Sequence, residues 1–398
     1  MTGFALLVPC LLAVPGLAGP WRGTLDLAGG TLKFGVEIAG TGTTLSGKLC
    51  NGQQCNAFSK VRADGDSVHF ELADFAASIT AVVRGDSLVG EYRNVGNRGP
   101  RIIPFRASRG RWPVSPAPAW LAGQWYAQFH GTVGDSPRIF EFRNGPAGLE
   151  GTIIGNSGDY SHFWGEATKD SFALSRFDGS FVYLLRGRLV GDTLRGTFHA
   201  GLKGQTAFDA VRANGPSPLT PPSEVTRADT TGPFRFAFRD VNGVLVQSDD
   251  PRFRGKVVVV DAFGTWCPTC HEAAPALVEL YNTRHAQGLE VVGLAYEVSG
   301  DTAVDGALVR RYRDKFDIPF PLLLAGINDT DAAAATLPQL QGFTAFPTTI
   351  FIGRDGRVRQ VHAGFYGPAT GAQHGALIAE FQREVDRLLA EPVPSPAP

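Results

Sequence analysis

The segment from Val257 to His271 constrains the fold more than any other part of the chain. It reads VVVVDAFGTWCPTCH, so a run of four valines leads into two cysteines that are separated by two residues. β-Branched residues favour a strand that is covered on both faces. After the cysteines, Leu277, Leu280 and Tyr281 have helical spacing, which predicts a helix over residues 272–285. A buried strand, a Cys-x-x-Cys pair and a helix are therefore expected to follow one another directly.

This order places the sulfur of Cys267 at the start of a helix. The free N–H groups and the macrodipole at a helix N-terminus favour a thiolate, which is the species that attacks disulfides. The sequence therefore predicts dithiol–disulfide chemistry. Cys267 is the expected nucleophile, which forms a mixed disulfide with the substrate, and Cys270 is the expected resolving thiol.

Two other interpretations of the motif remain open. With His271, the same residues spell Cys-x-x-Cys-His, the attachment motif of c-type haem. A haem would usually take a Met or His as second axial ligand, but the only methionine is Met1 and a hydrophobic strand leads into the motif. A zinc site would need a second ligand pair, and no further Cys-x-x-Cys or His-x-His follows. No metal is expected, and a haem-bearing electron carrier stays an alternative.

The C-terminal region resembles the TlpA/ResA-like thiol-disulfide oxidoreductases, a branch of the thioredoxin superfamily active outside the cytoplasm. Besides the Cys-x-x-Cys motif, Pro275 stands where the active-site helix of this family carries its kinking proline. Residues 290–295 match the next parallel strand, and residues 346–352 match the loop and strand that bear the family's cis-proline. The resemblance implies an α/β thioredoxin-fold domain over residues 229–391 that reduces extracytoplasmic protein disulfides.

The same resemblance assigns roles around the cysteines. Pro347, if cis, would place the backbone of Phe346 beside Cys267, where it could pair with an extended substrate segment. Trp266 is expected to shield the disulfide. No cofactor is expected beyond the redox-active Cys267–Cys270 disulfide. Electrons would come from a membrane donor of the DsbD/CcdA type.

The chain also departs from the family near the motif. Asp261 stands where many members have Asn, and burial would raise its pKa and suit it to accept a proton from Cys270 through water. The alternative for Asp261 is a solvated carboxylate at a strand end. ResA-like members place a glutamate at the position of Ala273. His271 is expected on the surface, and Glu272 is expected to be an acidic residue in the first helical turn.

A peroxidase of the peroxiredoxin type is a further alternative. Peroxiredoxins carry Thr three residues before the attacking cysteine, whereas Thr265 lies two residues before Cys267. The motif is therefore not met.

The N-terminal half contains an internal repeat with an offset of about 105 residues. Residues 21–25 correspond to 125–129, and residues 85–92 correspond to 191–198. Short alternating segments with Gly and Asp turns between these landmarks predict antiparallel barrels or sandwiches. The fold class is thus a multidomain protein with two repeated all-β modules followed by the thioredoxin-fold domain. The two β modules precede that domain in the chain, and only this position suggests that they dock a substrate or a partner.

Composition and the remaining segments complete the expected organisation. With 37 basic and 38 acidic residues the formal net charge is −1, so no nucleic-acid partner is indicated. Cys50 and Cys55 flank an Asn-Gly turn and are expected to form a structural disulfide in an oxidising compartment. The protein is predicted to be extracytoplasmic, either periplasmic or anchored facing the periplasm. The expected segments are a signal peptide or anchor (1–19), β module 1 (20–110), β module 2 (117–213), a Pro/Ser linker (214–228), the thioredoxin-like domain (229–391) and a disordered tail (392–398).

Overall fold

The computed structural model describes residues 16–96 and 99–393 of the chain. Most of the predicted signal peptide and of the predicted disordered tail lie outside the described residues. Among the residues described, no helix combines the length and the apolarity that a membrane crossing requires.

The first β module is a single antiparallel sheet of nine strands. These strands are β1 Gly19–Leu27, β2 Gly30–Ala39, β3 Ser46–Asn51, β4 Gln54–Ala57, β5 Lys60–Asp64, β6 Ser67–Leu72, β7 Ala77–Arg84, β8 Ser87–Gly96 and β9 Gly99–Arg109. Their order in the sheet is 4-3-2-1-9-8-7-6-5. Alternate residues of β1, among them Trp21 and Leu25, are buried in the core of the module, as expected for strands with one covered face.

The second β module is a closed barrel. Its strands are β10 Gly123–Gly131, β11 Gly134–Gly145, β12 Gly148–Gly155, β13 Gly158–Asp159, β14 Phe163–Ala167, β15 Ser171–Phe177, β16 Val182–Val190, β17 Thr193–Ala200 and β18 Gly204–Arg212. Because β11 pairs with both β10 and β12, eight antiparallel strands form a ring, and the two-residue strand β13 extends from β12.

The two modules repeat the same local structure at their first strand. In β1 the indole of Trp21 donates to the carbonyl of Leu17 at 2.9 Å, and in β10 the indole of Trp125 donates to that of Leu121 at 2.8 Å. An arginine on the last strand covers each indole, at 3.9 and 4.1 Å from the ring centroid. These residues are Arg109 and Arg212, and each is paired in register with its tryptophan.

The C-terminal region is a mixed sheet covered by helices. The strands are β19 Arg227–Ala228, β20 Ala237–Asp240, β21 Leu245–Gln247, β22 Val257–Phe263, β23 Leu289–Glu297, β24 Leu322–Ile327, β25 Leu340–Gln341, β26 Thr348–Ile352 and β27 Val358–Ala363. The helices are α1 Pro222–Val225, α2 Pro268–Arg284, α3 Thr302–Lys315, α4 Thr330–Thr336 and α5 Ala372–Leu389. Seven strands form the main sheet in the order 21-20-24-23-22-26-27, with β22, β23 and β24 parallel.

The valine run forms the buried strand that its composition predicts. All seven residues of β22 are buried, and separate apolar cores cover the two faces of the sheet. Helix α2 begins at Pro268, earlier than the expected start at residue 272, because proline is favoured in the first helical turn. The predicted fold class, two all-β modules followed by a thioredoxin-like α/β domain, is confirmed.

Candidate active site: a buried dithiol at the start of helix α2

Cys267 is the residue that precedes helix α2, and Cys270 lies in its first turn. The carbonyl of Cys267 accepts hydrogen bonds from the backbone N–H groups of Cys270 and His271, at 3.0 and 3.2 Å. Both cysteines are free thiols in this structure. Cys267 is 3% exposed and Cys270 is 1% exposed. The strand, the Cys-x-x-Cys pair and the helix are therefore in direct succession, with both sulfurs shielded.

The loop before β26 lies next to the first thiol. The Phe346–Pro347 peptide bond is cis, and the carbonyl oxygen of Phe346 is 3.6 Å from Cys267 Sγ. The ring of Trp266 packs edge-on against that of Phe346, and its indole donates to the carbonyl of Tyr296 at 2.8 Å. The residues assigned to substrate contact thus lie together around Cys267.

The second thiol is held in its protonated form by its surroundings. Burial raises the pKa of Cys270 well above its usual range, and Cys267 and the charge of Asp261 raise it further. The hydroxyl of Tyr312 donates to the Cys270 carbonyl at 2.8 Å and fixes the first turn of α2. Cys270 therefore needs a base before it can attack a mixed disulfide.

Asp261 is a buried carboxyl group on β22 and not a solvated one at a strand end. It is 4% exposed, and the hydroxyl of Thr349 donates to its Oδ1 at 3.1 Å. Burial raises the pKa of Asp261 to about 7, although the hydrogen bond from Thr349 opposes the shift. A carboxyl group with this pKa can take up and release a proton near neutral pH.

A second buried carboxyl group, Glu297, was missed by the sequence analysis. It ends β23 and accepts hydrogen bonds from the backbone N–H and the hydroxyl of Thr265, at 2.8 and 2.7 Å. Burial raises its pKa to about 8. Glu297 therefore anchors the loop that leads into Cys267. The signal that the sequence offered for Glu297 was an acidic residue at the end of the strand that follows the motif.

The expectation that His271 lies on the surface is wrong. Its ring packs against Phe75, Tyr312 and Phe316, with ring centroids 4.7 to 5.4 Å apart. Its Nε2 donates to the carbonyl of Thr265 at 2.8 Å. Burial lowers the pKa of His271 to about 4, so the ring is neutral near pH 7. The reason is tertiary, because Phe75 belongs to the first β module.

The view of Glu272 as a simple first-turn acid also needs correction. Its Oε1 accepts a hydrogen bond from the hydroxyl of Ser161 at 2.6 Å, and its Oε2 atom is buried. Burial, followed by the charge of Asp159, raises the pKa of Glu272 to about 8. Ser161 and Asp159 belong to the second barrel, so the contact is not visible in the local sequence.

Cys50 and Cys55 are joined by a disulfide across the turn between β3 and β4, where they form a register pair. Cys55 and the start of α2 both line a cavity of about 460 Å³ at the junction of the two β modules and the C-terminal domain. Within residues 16–96 and 99–393, no group of three or more His, Cys, Asp or Glu side chains is arranged to hold a metal ion.

The fold and the dithiol define the C-terminal region as a thioredoxin-like redox domain. Residues 227–371 match the Redoxin family. The relatives include the thiol-disulfide oxidoreductase ResA of Halalkalibacterium halodurans, 28% identical over 130 residues, which are 32% of this chain and 65% of that protein. ResA of Geobacillus thermodenitrificans is 30% identical over 129 residues, 32% of this chain and 66% of that protein. The resemblance to TlpA/ResA-like proteins is thereby confirmed for this region.

The similarity has a limited extent. The chain spans less than two thirds of the length of these ResA relatives. Among solved structures, a thiol:disulfide interchange protein of the thioredoxin family from Chlorobium tepidum TLS is 25% identical, with a TM-score of 0.32. The match covers 41% of this chain and 99% of that one.

Proposed function

We propose that the protein is a thiol-disulfide oxidoreductase that reduces extracytoplasmic protein disulfides through Cys267 and Cys270. One observation carries the proposal. Cys267 Sγ lies at the start of α2, 3.6 Å from the Phe346 carbonyl, directly ahead of the buried thiol of Cys270. A sulfur at a helix N-terminus beside a backbone carbonyl of the cis-proline loop suits attack on a disulfide in an extended segment.

The reaction proceeds through two exchanges. The Cys267 thiolate attacks one substrate sulfur, so the substrate S–S bond breaks, a mixed disulfide forms and one substrate thiolate leaves. Cys270 then loses its proton and attacks the Cys267 sulfur, which forms the Cys267–Cys270 disulfide and releases the second substrate thiolate. The substrate gains two electrons and two protons, and the protein dithiol loses them.

Asp261 is the proposed proton acceptor in the second exchange. Its charge acts on the Cys270 thiol, and its pKa of about 7 allows it to be ionised at neutral pH. A water molecule between the two groups would carry the proton. The ionised carboxylate disfavours a neighbouring thiolate, so proton acceptance by Asp261 both frees and stabilises the attacking sulfur.

The proposed setting is outside the cytoplasm. The Cys50–Cys55 disulfide is of the kind that persists in oxidising compartments. A reductase in such a compartment must be reduced again, and a membrane dithiol donor of the DsbD/CcdA type is the proposed source of electrons. Protein disulfides are the proposed substrates.

The contacts of His271 and Thr265 disfavour the two alternatives. Nε2 of His271 is engaged with the Thr265 carbonyl, and aromatic rings surround the imidazole, so this side chain is poorly placed to ligate haem. The Thr265 hydroxyl donates its hydrogen bond to Glu297, so it is not available to a bound peroxide. An absorbance spectrum without a Soret band and a peroxidase assay without turnover are the expected results.

Insulin reduction and a redox titration test the proposal. The full-length protein should reduce insulin disulfides, and Cys267→Ser or Cys270→Ser should abolish both turnover and the two-electron couple. The control Cys50→Ser/Cys55→Ser, which removes the other disulfide, should keep the couple. A reduction potential near about −270 mV supports a reductase, whereas one near about −120 mV indicates an oxidant. Equal turnover in wild type and Cys267→Ser would refute the proposal.

A further inference from the structure

The second β barrel lies directly over the active site. Two of its segments make the contacts, residues 157–161 around β13 and residues 178–181 before β16, and we call them together the cap. With the cap in place Cys267 is 3% exposed. The thiol that must attack a protein disulfide is buried, and the cap contacts Trp266 and Thr269 on either side of it.

The first segment of the cap pairs with the loop that follows β27. The backbone N–H of Asp159 donates to the carbonyl of Phe365 at 3.2 Å, and the backbone N–H of Gly367 donates to Asp159 Oδ1 at 2.7 Å. This loop is adjacent to the cis-proline, since the N–H of Gly364 donates to the Pro347 carbonyl at 2.8 Å. The cap therefore lies beside the cis-proline loop, next to the Phe346 backbone that is proposed to receive an extended substrate segment.

The cap also holds both ends of the Cys-x-x-Cys motif. The hydroxyl of Ser180 donates to the carbonyl of Trp266 at 2.8 Å, directly before Cys267. The hydroxyl of Thr269 donates to the carbonyl of Asp159 at 3.4 Å, and the hydroxyl of Ser161 donates to Glu272. Residues on both sides of Cys267 are therefore occupied by the second barrel.

The contact is polar and incompletely satisfied. The carboxyl groups of Asp159 and Glu272 face each other across it. Burial raises the pKa of Asp159, and burial followed by the charge of Asp159 raises the pKa of Glu272 to about 8. Glu272 Oε2 and Arg176 Nη1 are buried without a hydrogen-bond partner among the described residues. Buried polar atoms of this kind cost free energy, and polar contacts between domains usually permit relative motion. Opening the contact would return these groups to solvent.

We propose that the second barrel is a built-in cap that lies beside the substrate-docking surface and blocks access to it, so that Cys267 reacts with a protein disulfide only when the barrel moves away. The inference rests on the proposed oxidoreductase function and adds its regulation. In the closed state the thiol is protected from disulfides, and insulin reduction by the full-length protein proceeds through the open state. A substrate, or the electron donor, reaches Cys267 only after the contacts of the cap with this loop and with the Trp266 carbonyl have opened.

A small side chain added at the contact between the cap and the redox domain provides the first test. A Cβ on Gly367 would lie 1.8 Å from Glu272 Oε2 and 3.3 Å from Asp159 Oδ1, and the φ of −74° at Gly367 accepts alanine without strain. The atom in the way is the end of the Glu272 side chain, which must turn away from Ser161 to make room, so Gly367→Ala should loosen the cap. Gly375→Ala, on α5 with no atom within 4 Å of the new Cβ, is the matched control.

The measurement is the rate at which iodoacetamide alkylates Cys267 in the reduced full-length protein, followed by mass spectrometry. Gly367→Ala should be labelled at least about tenfold faster than wild type, because opening limits access to the thiol. Gly375→Ala should be labelled at the wild-type rate. Equal rates in all three proteins would overturn the proposal.

A second variant keeps the test valid if Gly367→Ala does not fold. Ser161→Ala/Ser180→Ala removes two hydrogen bonds between the cap and the redox domain and adds no bulk. It should also be labelled faster than wild type, whereas Ser217→Ala, in the linker, should not. Unchanged labelling in the double variant would overturn the proposal. Alkylation needs no turnover, so this result is separate from a failure of insulin reduction.

Discussion

Asp261 and Glu297 place two carboxyl groups in the interior of the redox domain, on adjacent parallel strands. Burial raises the pKa of Asp261 to about 7 and that of Glu297 to about 8. Their contacts separate their roles. Glu297 is bonded to the backbone and side chain of Thr265 and holds a loop, whereas Asp261 has one hydroxyl donor and acts on Cys270. Only Asp261 is therefore assigned to proton transfer.

The first prediction concerns this proton. Asp261→Asn should slow the resolution of the mixed disulfide more than its formation, since the proton involved belongs to Cys270. Loss of a general base costs about 10²–10⁴-fold. In the wild type the resolution rate should rise with pH through about 7, where Asp261 ionises, and the variant should lack this inflection.

Stopped-flow rates of the two steps across neutral pH would measure both effects. Asp317→Asn is a matched control, because Asp317 is exposed and its φ of 49° suits asparagine. If resolution kept its wild-type rate and pH profile in Asp261→Asn, then Asp261 would be a structural carboxyl group.

Helix α2 is the element on which all three parts of the chain converge. Its N-terminus carries the dithiol. Glu272 reaches Ser161 of the second barrel, and His271 packs against Phe75 of the first module. The strand and the cysteines before this helix were predictable because their pattern is local. The positions of His271 and Glu272 were not, since Phe75 and Ser161 lie more than a hundred residues earlier in the chain.

The second prediction concerns the contact between Glu272 and the second barrel. Glu272 has its pKa raised to about 8 by burial and by Asp159, with Asp178 adding to the shift and Arg176 opposing it. A carboxyl group whose pKa is raised on folding contributes its full stabilisation when the pH is below its unfolded pKa of 4.5. This contribution is lost as the pH rises through the folded pKa of about 8. The stability of the wild-type protein should therefore fall across this window.

Glu272→Gln should reduce this dependence, because glutamine still accepts from Ser161 and cannot ionise. Each pH unit in the window is equivalent to at most about 1.4 kcal/mol for one group. Denaturant unfolding at mildly acidic and mildly alkaline pH would measure the difference. Glu279→Gln, on an exposed position of the same helix, should behave as wild type. An identical pH slope in wild type and Glu272→Gln would contradict the account of this contact.

At the scale of the whole molecule, both β modules contact the redox domain near its active site. The repeat itself was predictable from Trp21 and Trp125, which occupy equivalent positions in β1 and β10. The closure of the second barrel follows from the pairing of β11 with β12, and no sequence pattern specified that pairing. The docking of the modules also rests on long-range contacts, such as the ion pair of Asp74 with Lys315 at 2.5 Å. The sequence therefore indicated the parts and the chemistry but not the covered active site.

Trapping of the mixed disulfide tests the central claim most directly. Because Cys267 attacks and Cys270 resolves, full-length Cys270→Ser should accumulate a covalent complex with a disulfide-containing protein that dithiothreitol releases. Cys267→Ser should form none, since the remaining thiol of Cys270 is buried and its pKa is raised. Non-reducing electrophoresis and mass spectrometry would locate the linked cysteine. Equal trapping by the two variants, or trapping by Cys267→Ser alone, would contradict the assignment of the two thiols.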